Sequence, residues 1–329
     1  MSNPRASDPC LTEDQAASNR SLGASSQAPR QLVVLSGKGG TGKTSVTASL
    51  AALAPSKVLA DCDVDAPDLH LVMDPVPRLR EPFFSGKEAY VLPKLCAACG
   101  VCAEYCRFNA LYEVQGPRGQ RSYQVDPIAC EGCGFCLQVC PAEAIKLKEA
   151  ERGEWFISDT RHGPLVHARL NVGGENSGKL VTLVREQALA LAQENGANLV
   201  LVDGPPGIGC PAIASVTGAD LVLLVTEPTV SAEHDLERAI QLVHSFSLPL
   251  AVCINKFDLN LDLAEQIRHL CRSRGIPVVG ELCYDTAVTK AQIHGQSIVE
   301  HGGSVVAEQI RTMWEQIQQR LETLEKAKA

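Results

Sequence analysis

The sequence predicts an α/β fold, a mostly parallel sheet flanked by helices and interrupted by a small α+β unit. Three observations lead there. Short apolar runs alternate with segments of helical length over most of the chain, the pattern of a parallel sheet covered on both faces. The first of these runs flows into a glycine-rich turn, Gly37-Lys-Gly-Gly-Thr-Gly-Lys-Thr44. Eight of the fourteen cysteines fall in two matching groups between Cys96 and Cys140.

Composition narrows the field. A chain of 329 residues with 45% hydrophobic and 4% aromatic content suits a Val/Leu/Ala-rich core with room for a second small domain. The net charge of −8 argues against nucleic acid as a partner, because backbone binding needs a basic footprint. No apolar run approaches the roughly 20 residues that span a bilayer, so no membrane insertion is expected. Residues 1–29 are rich in Ser, Ala, Asn, Gln and Pro and are expected to form a disordered leader, with Cys10 incidental. They lack the charged and apolar regions of a secretory signal. Closely spaced cysteines suit a cluster better than disulfides and point to a reducing, cytoplasmic compartment.

Gln31–Ser36 reads as the first buried strand, Lys43–Leu53 as a helix, and Lys57–Ala60 as a second strand ending at Asp61. Pro67 to Pro93 holds five prolines and little periodicity, and is expected to be a connector. Within 92–148, each four-cysteine run is followed by a strand-like segment, Ala110–Val114 and Ala142–Leu147, so the unit is an internal duplication. Alternation then resumes. Leu165–Leu170, Asn198–Val202, Asp220–Val225, Leu248–Ile254 and Ile276–Val279 are expected strands. Ser177–Asn195, Ser231–Phe246, Leu261–Arg274, Thr286–Ile293 and Ser304–Lys326 are expected helices, the first with Gly196 past its end as a stop. The domains are therefore a leader (1–29), a discontinuous α/β domain (30–91 and 149–329) and an insert (92–148).

The loop Gly37-x4-Gly42-Lys43-Thr44 lies between a strand and a helix, the setting of a phosphate-binding loop. Backbone N–H groups of Gly37, Lys38, Gly39, Gly40, Thr41 and Gly42 can approach phosphate oxygens, and the helix N-terminus adds positive potential. Lys43 would neutralise the β- and γ-phosphates, and the Thr44 hydroxyl would ligate Mg²⁺.

With its extra lysine, Lys38, the loop resembles the KGGxGK[ST] signature of the MinD/ParA/Mrp group of P-loop ATPases, which includes the nitrogenase iron protein. The resemblance covers about residues 31–329 and implies a P-loop NTPase fold of the SIMIBI type. It implies that Lys38 acts on a dimer partner's nucleotide, making Lys38, Lys43 and Asp63 the catalytic residues. Asp61-Cys-Asp63 matches the family's DxD segment: Asp61 orients Mg²⁺-bound water and Asp63 the attacking water. Asp203-Gly-Pro-Pro-Gly207 resembles the Walker B end and switch II, so that Thr44, Asp61 and Asp203 serve Mg²⁺, and Gly207 can respond to the γ-phosphate. Asn255-Lys-Phe-Asp258 has the spacing of a guanine-reading motif, while MinD-type proteins use an Asn here for adenine. Asn255 and Asp258 are thus base-binding candidates; ATP is favoured and GTP stays open.

The runs Cys96-x2-Cys99-x2-Cys102-x3-Cys106 and Cys130-x2-Cys133-x2-Cys136-x3-Cys140-Pro141 resemble those of two-cluster bacterial ferredoxins, in which the fourth cysteine of each run crosses to the other cluster. Carried onto this chain, Cys96, Cys99, Cys102 and Cys140 hold one 4Fe-4S cluster, and Cys130, Cys133, Cys136 and Cys106 the other. Zinc is the alternative for paired CxxC motifs. Arg107 replaces the usual proline after Cys106, placing a positive charge near the second cluster.

Gly173–Leu180 resembles a segment of MinD-like ATPases with an inserted ferredoxin unit, and Ser177 is its candidate helix cap. Cys210 reads either as a buried structural cysteine or as a transient ligand near a dimer axis. The last helix carries Val306, Ile310, Met313, Ile317, Leu321 and Leu324 on one face without a cationic excess opposite, so it is expected to dock on the core. The resemblance implies a homodimer, or a heterodimer with a related ATPase, acting on an apo-protein acceptor or a redox partner. Three uses stand in order: iron–sulfur or metal cluster assembly and delivery, ATP-gated electron transfer, and spatial regulation of the MinD/ParA kind.

Overall fold

A computed structural model of the chain describes residues 28–174 and 177–328; the expected leader lies almost wholly outside them. The described elements run β1 (Arg30–Ser36), α1 (Lys43–Leu53), β2 (Lys57–Asp61), α2 (Leu69–Met73), β3 (Val76–Val91), α3 (Val101–Glu104), β4 (Leu111–Gln115), β5 (Arg121–Val125), α4 (Phe135–Val139), β6 (Ile145–Thr160) and β7 (Gly163–Leu170). They continue with α5 (Ser177–Glu194), β8 (Leu199–Pro206), α6 (Cys210–Val216), β9 (Leu221–Thr226), α7 (Val230–Ser245), β10 (Leu250–Asn255), α8 (Leu261–Ser273), β11 (Val278–Leu282), α9 (Thr286–Ile293), α10 (Ile298–His301) and α11 (Val305–Lys328).

Nine strands form one sheet in the order β11-β10-β9-β1-β8-β2-β7-β6-β3. The seven from β11 to β7 are parallel, and β6 and β3 add on antiparallel. Alternate residues of each parallel strand feed opposite cores, because successive side chains point to opposite faces. Val33, Leu35, Val58, Val200 and Val202 pack under α5, α7 and α8. Leu32, Val34, Leu59, Leu199 and Leu201 pack under α1 and α11. The result is helix–sheet–helix layering. α11 buries Val306, Ile310, Met313, Ile317 and Leu321 against the sheet, so the expected docking holds.

The expected connector is where the structure differs most. Residues 69–73 are helical, and Val76–Val91 is a 16-residue strand paired along nearly its full length with β6, from Val76↔Asp159 to Val91↔Ile145. Prolines hide it. Pro77 and Pro82 fall on the outermost strand, where a missing N–H costs no ladder bond on the free side and discourages pairing with another chain. Its side chains are mostly exposed, so no apolar period marks it. The β3–β6 ribbon leaves the parallel sheet and carries the cysteine unit at its far end. There, α3, the β4–β5 hairpin and α4 surround a small core of Ala89, Cys102, Leu111 and Ile145. The strand Arg121–Val125 has no counterpart among the expected strands, although Gly116-Pro-Arg-Gly119 before it is a turn signal.

The expected cap at Ser177 adjoins residues 175–176, which lie outside the described residues; α5 is described from Ser177 onward. A smaller difference concerns Cys210. Cys210 is exposed, not buried, because it opens α6 at the surface after β8. Cys62, Cys253 and Cys271 are buried, as small apolar side chains should be.

Docking of α11 has a measurable consequence. Ile317 is fully buried, so Ile317→Ala should lower unfolding free energy by about 2–5 kcal/mol in urea titration. A loss below about 1 kcal/mol, the scale of an ordinary surface change, would contradict it.

Candidate functional site

β1 delivers the glycine-rich loop to the C-terminal edge of the sheet, and α1 opens at Lys43. Gly42 stands at φ 90° in the left-handed region, and a Cβ there would lie 2.3 Å from Asn255 Nδ2, so only glycine fits. Asn255 Nδ2 donates to the Thr41 carbonyl at 2.8 Å. Lys256 Nζ donates to the Gly40 carbonyl at 3.2 Å. Asn255, which ends β10, and Lys256 after it therefore brace the loop from outside.

Two strand ends place acid beside this loop. Parallel pairing sets Asp61 of β2 in register with Asp203 of β8, and both are fully buried. Lys43 Nζ lies 3.0 Å from Asp203 Oδ1 and 3.7 Å from Asp63 Oδ2. The Thr44 hydroxyl donates to Asp203 Oδ2 at 2.9 Å, and Thr47 to Oδ1 at 2.7 Å. Burial pulls Lys43 down, but Asp203, Asp63 and Asp61 together more than offset it and leave the ammonium above its ordinary value. Burial, reinforced by Asp203, pushes the Asp61 carboxyl well up. Burial likewise pushes Asp63 up to about 6. Asp61 Oδ2 is buried without a hydrogen-bond partner.

Two carboxylates side by side, one with an orphaned oxygen, next to a hydroxyl, fit a divalent cation: Mg²⁺ would supply the missing partner and relieve the repulsion. Among the described residues, no three His, Cys, Asp or Glu side chains converge tightly enough to hold a single ion by themselves.

A cavity of about 690 Å³ opens from the loop, lined by Lys43, Thr44, Asp63, Asn255, Tyr284 and Gln292 among others. Its volume is that of a small-molecule site. Asp258 is not in its lining: Oδ1 accepts the Tyr284 N–H at 2.7 Å, clamping the segment after β11. Lys38 points into its own chain, 2.9 Å from Glu227 Oε1 and 3.0 and 3.1 Å from the hydroxyls of Thr229 and Ser231. Glu227 also bridges to Lys256 at 3.0 Å. No sequence motif announces Glu227; it follows β9 and meets Lys38 only through the fold. Gly207 stands at φ 85° and its N–H donates to the Ser36 carbonyl at 2.9 Å, tying the segment after β8 to the start of the loop.

The cysteine unit brings the eight sulfurs into two separate cavities. One is lined by Cys96, Cys99, Cys102 and Cys140 with about 10 Å³ of free volume. The other is lined by Cys106, Cys130, Cys133 and Cys136, with about 580 Å³. In each, three cysteines come from one run and the fourth from the other. Backbone N–H groups of Ala144, Ala110 and Ala89 donate to the sulfurs of Cys140, Cys106 and Cys130 at 3.3–3.5 Å. Burial pushes the thiol of Cys102 up, and that of Cys136 up to about 11. Arg107 lines the second cavity, beside Tyr105, Phe108 and Phe135.

Comparison with known proteins agrees with the fold. Residues 32–298 match the model of the CobQ/CobB/MinD/ParA nucleotide binding domain, and the chain belongs to that family. An uncharacterised Methanocaldococcus jannaschii protein is 36% identical over 237 residues, 70% of this chain and 79% of its own. The cell division ATPase MinD of Pyrococcus furiosus superposes with a TM-score of 0.52 at 18% identity, over 88% of this chain and 98% of its own. The septum site-determining protein MinD of Pyrococcus horikoshii, solved with Mg-ADP, gives 0.53 at 15% identity, over 88% and 96%. At such identity, these two structures establish the fold alone.

The raised Asp63 carboxyl sets a pH dependence in the nucleotide-free protein. Its folded value of about 6 exceeds the ordinary 3.8, so the folded state holds the proton more tightly. That contribution to stability is present below pH 3.8 and is lost as pH rises through about 6. Asp63→Asn should therefore melt progressively higher than the parent between about pH 4 and 6 and keep that advantage above. Thermal melts at matched pH that show no widening gap would contradict the electrostatics.

Proposed function

We propose that the protein is a Mg²⁺-dependent ATPase that carries two 4Fe-4S clusters and couples its nucleotide state to them. The observation that carries this reading is the sorting of eight cysteines into two four-thiol cavities, at the end of a ribbon continuous with the nucleotide-binding sheet. Four thiols line each cavity, and N–H groups meet the sulfurs of Cys140, Cys106 and Cys130; the second cavity, at about 580 Å³, has room for a cluster, and the first, at about 10 Å³, must widen to take one. The ligand sets are Cys96, Cys99, Cys102 and Cys140, and Cys130, Cys133, Cys136 and Cys106. When bound, such clusters accept and release single electrons at a potential tuned by charge and exposure.

At the other end, the family match and the Lys43–Asp203–Thr44 constellation support phosphate and Mg²⁺ binding through Thr44, Asp61 and Asp203. Asp63, which burial raises to about 6, lies beside Lys43 and is the candidate for positioning the attacking water. ATP is favoured over GTP because the Asp258 carboxylate, which would read guanine, is turned to the Tyr284 N–H and lies outside the cavity lining. Lys38 is bonded to Glu227 within its own chain, so reaching a partner's nucleotide requires it to exchange that carboxylate for phosphate. This exchange would tie dimerisation, as a homodimer or with a related ATPase, to nucleotide binding.

Of the uses open to such a molecule, cluster assembly and delivery to an apo-protein, and electron transfer to a redox partner, both need clusters. Closure of each site by four thiols favours resident clusters and hence electron transfer. Spatial regulation of the MinD/ParA kind needs no clusters at all.

Anaerobic reconstitution with iron and sulfide decides between them. The expected product is brown, with about eight iron atoms per chain, four for each cluster, and it hydrolyses Mg·ATP with loss of turnover in Lys43→Ala. Two zinc ions per chain, or a colourless product, would overturn the cluster assignment. Transfer of iron to an apo-ferredoxin under Mg·ATP would favour delivery, and retention with nucleotide-dependent oxidation would favour electron transfer. Asp258→Ala should leave the preference for ATP over GTP unchanged; reversal of that preference would contradict the base assignment.

A further inference from the structure

The two cysteine loops are attached to the rest of the molecule in different ways. Both cavities are lined from within the unit or its edge, but among the described residues the backbone bonds of the first loop, 96–106, stay between Leu92 and Ala144. The second loop, 126–133, is strapped to the ribbon and beyond. Arg152, on β6, donates from Nη1 to the Pro127 carbonyl at 3.3 Å and from Nη2 to the Cys130 carbonyl at 3.2 Å. The Ala89 N–H of β3 donates to Cys130 Sγ. A Cβ on Gly173 would lie 2.9 Å from Ile128 Cγ2, so the segment after β7 rests against the same loop.

From Arg152 the contacts continue to the nucleotide site. The Asn171 N–H donates to the Arg152 carbonyl at 2.9 Å, and that of Gly174 to the Asn171 carbonyl at 2.7 Å. α5 is described from Ser177 onward. A Cβ on Gly178, in its first turn, would lie 3.4 Å from Cys210 Cβ, the residue that opens α6. Three residues before Cys210, the Gly207 N–H holds the Ser36 carbonyl at the root of the phosphate loop. A phosphate that draws Gly207 toward itself must break that bond, and the displaced segment pushes on α6 and the start of α5.

We propose that the second cysteine loop, and not the first, responds to nucleotide, and that Arg152 is the positioning residue that ties it to the α5–α6 contact. This rests on the proposed function for its consequence, since the cluster held by Cys130, Cys133, Cys136 and Cys106 would be the one whose environment nucleotide alters. The strap itself belongs to the polypeptide. Contiguous contacts transmit coupling only where an element has two arrangements; the Gly207 segment, bound to Ser36 here, would take its second when a phosphate competes for that N–H.

Hydrogen exchange of the full chain, with and without a non-hydrolysable Mg·ATP analogue, tests it, first without iron and then after reconstitution. Exchange across residues 126–133 should change by about fivefold or more, the lower end of ordinary site-to-site coupling, while that across 96–106 stays constant. Arg152→Gln should abolish the change and leave analogue affinity unaltered; Arg152→Lys, which keeps charge but not the fork, should restore part of it. In the reconstituted protein, the analogue should shift one of the two cluster signals in an EPR redox titration, and Arg152→Gln should remove that shift. Equal changes in both loops, or a full response surviving in Arg152→Gln, would overturn the proposal. Should Arg152→Gln fold poorly, Ile128→Ser decides by the same criterion, because Ile128 is 60% exposed and its loss spares the core. A chain that takes up no iron fails the proposed function, while the exchange result on the iron-free protein still decides this inference.

Discussion

The rest of the site depends on the repulsion between Asp61 and Asp203, held side by side by the register of two buried parallel strands. Taking two carboxylates out of water together is costly, and Lys43 alone balances only one of them. The arrangement is tolerable because Thr44, Thr47 and Lys43 all satisfy Asp203, leaving Asp61 to stay protonated or to find a cation. The nucleotide-free site is therefore poised for Mg²⁺ and phosphate: their charges cancel what the fold forces together. The strands cannot slip to relieve the strain, since a one-residue shift would turn Val58, Ala60, Val200 and Val202 to the wrong core.

The long ribbon gives this tension somewhere to act. β6 pairs with β7 of the parallel sheet at one end and with β3 throughout, including the strand ends that carry the cysteine unit. A hydrogen-bonded ribbon resists shear better than a flexible linker, so the insert is mounted on the sheet. Lys38 and Glu227 form a second point of control. Burial pushes the Glu227 carboxyl up, yet Lys38 and Lys256 pull it below its ordinary value, so the two lysines are firmly paired until a stronger anion arrives. One carboxylate thus restrains both the extra lysine of the loop and the lysine that braces Gly40.

Much of the α/β frame is legible because its signals are local. The apolar run before Gly37, the spacing to Lys43 and Thr44, and hydrophobic strands ending in Asp61 and Asp203 each lie within a few residues of sequence. The crossing of Cys106 and Cys140 between cavities follows from resemblance to ferredoxins rather than from the cysteines' spacing. What escapes is what depends on distance or on exposure. β3 is an exposed edge strand containing Pro77 and Pro82, so neither period nor propensity marks it. Glu227 meets Lys38 only because β9 lies beside β1 in the sheet, and Arg152 meets Cys130 only because β6 folds back past the loop. Asp258 matches a base-reading motif, but the motif says nothing of the Tyr284 N–H that occupies it. Cys210 reads as a core residue from its neighbours in sequence, whereas the short helix it opens places it at the surface.

The proposed function rests on a single linkage, between occupancy of the phosphate loop and the electronic state of the clusters proposed for the cysteine unit. Its most direct measurement is the steady-state rate of Mg·ATP hydrolysis by the reconstituted protein, compared anaerobically in its oxidised and dithionite-reduced forms. Under the proposed coupling the two rates differ, and the difference disappears in protein stripped of iron. Identical rates in all three preparations would contradict it.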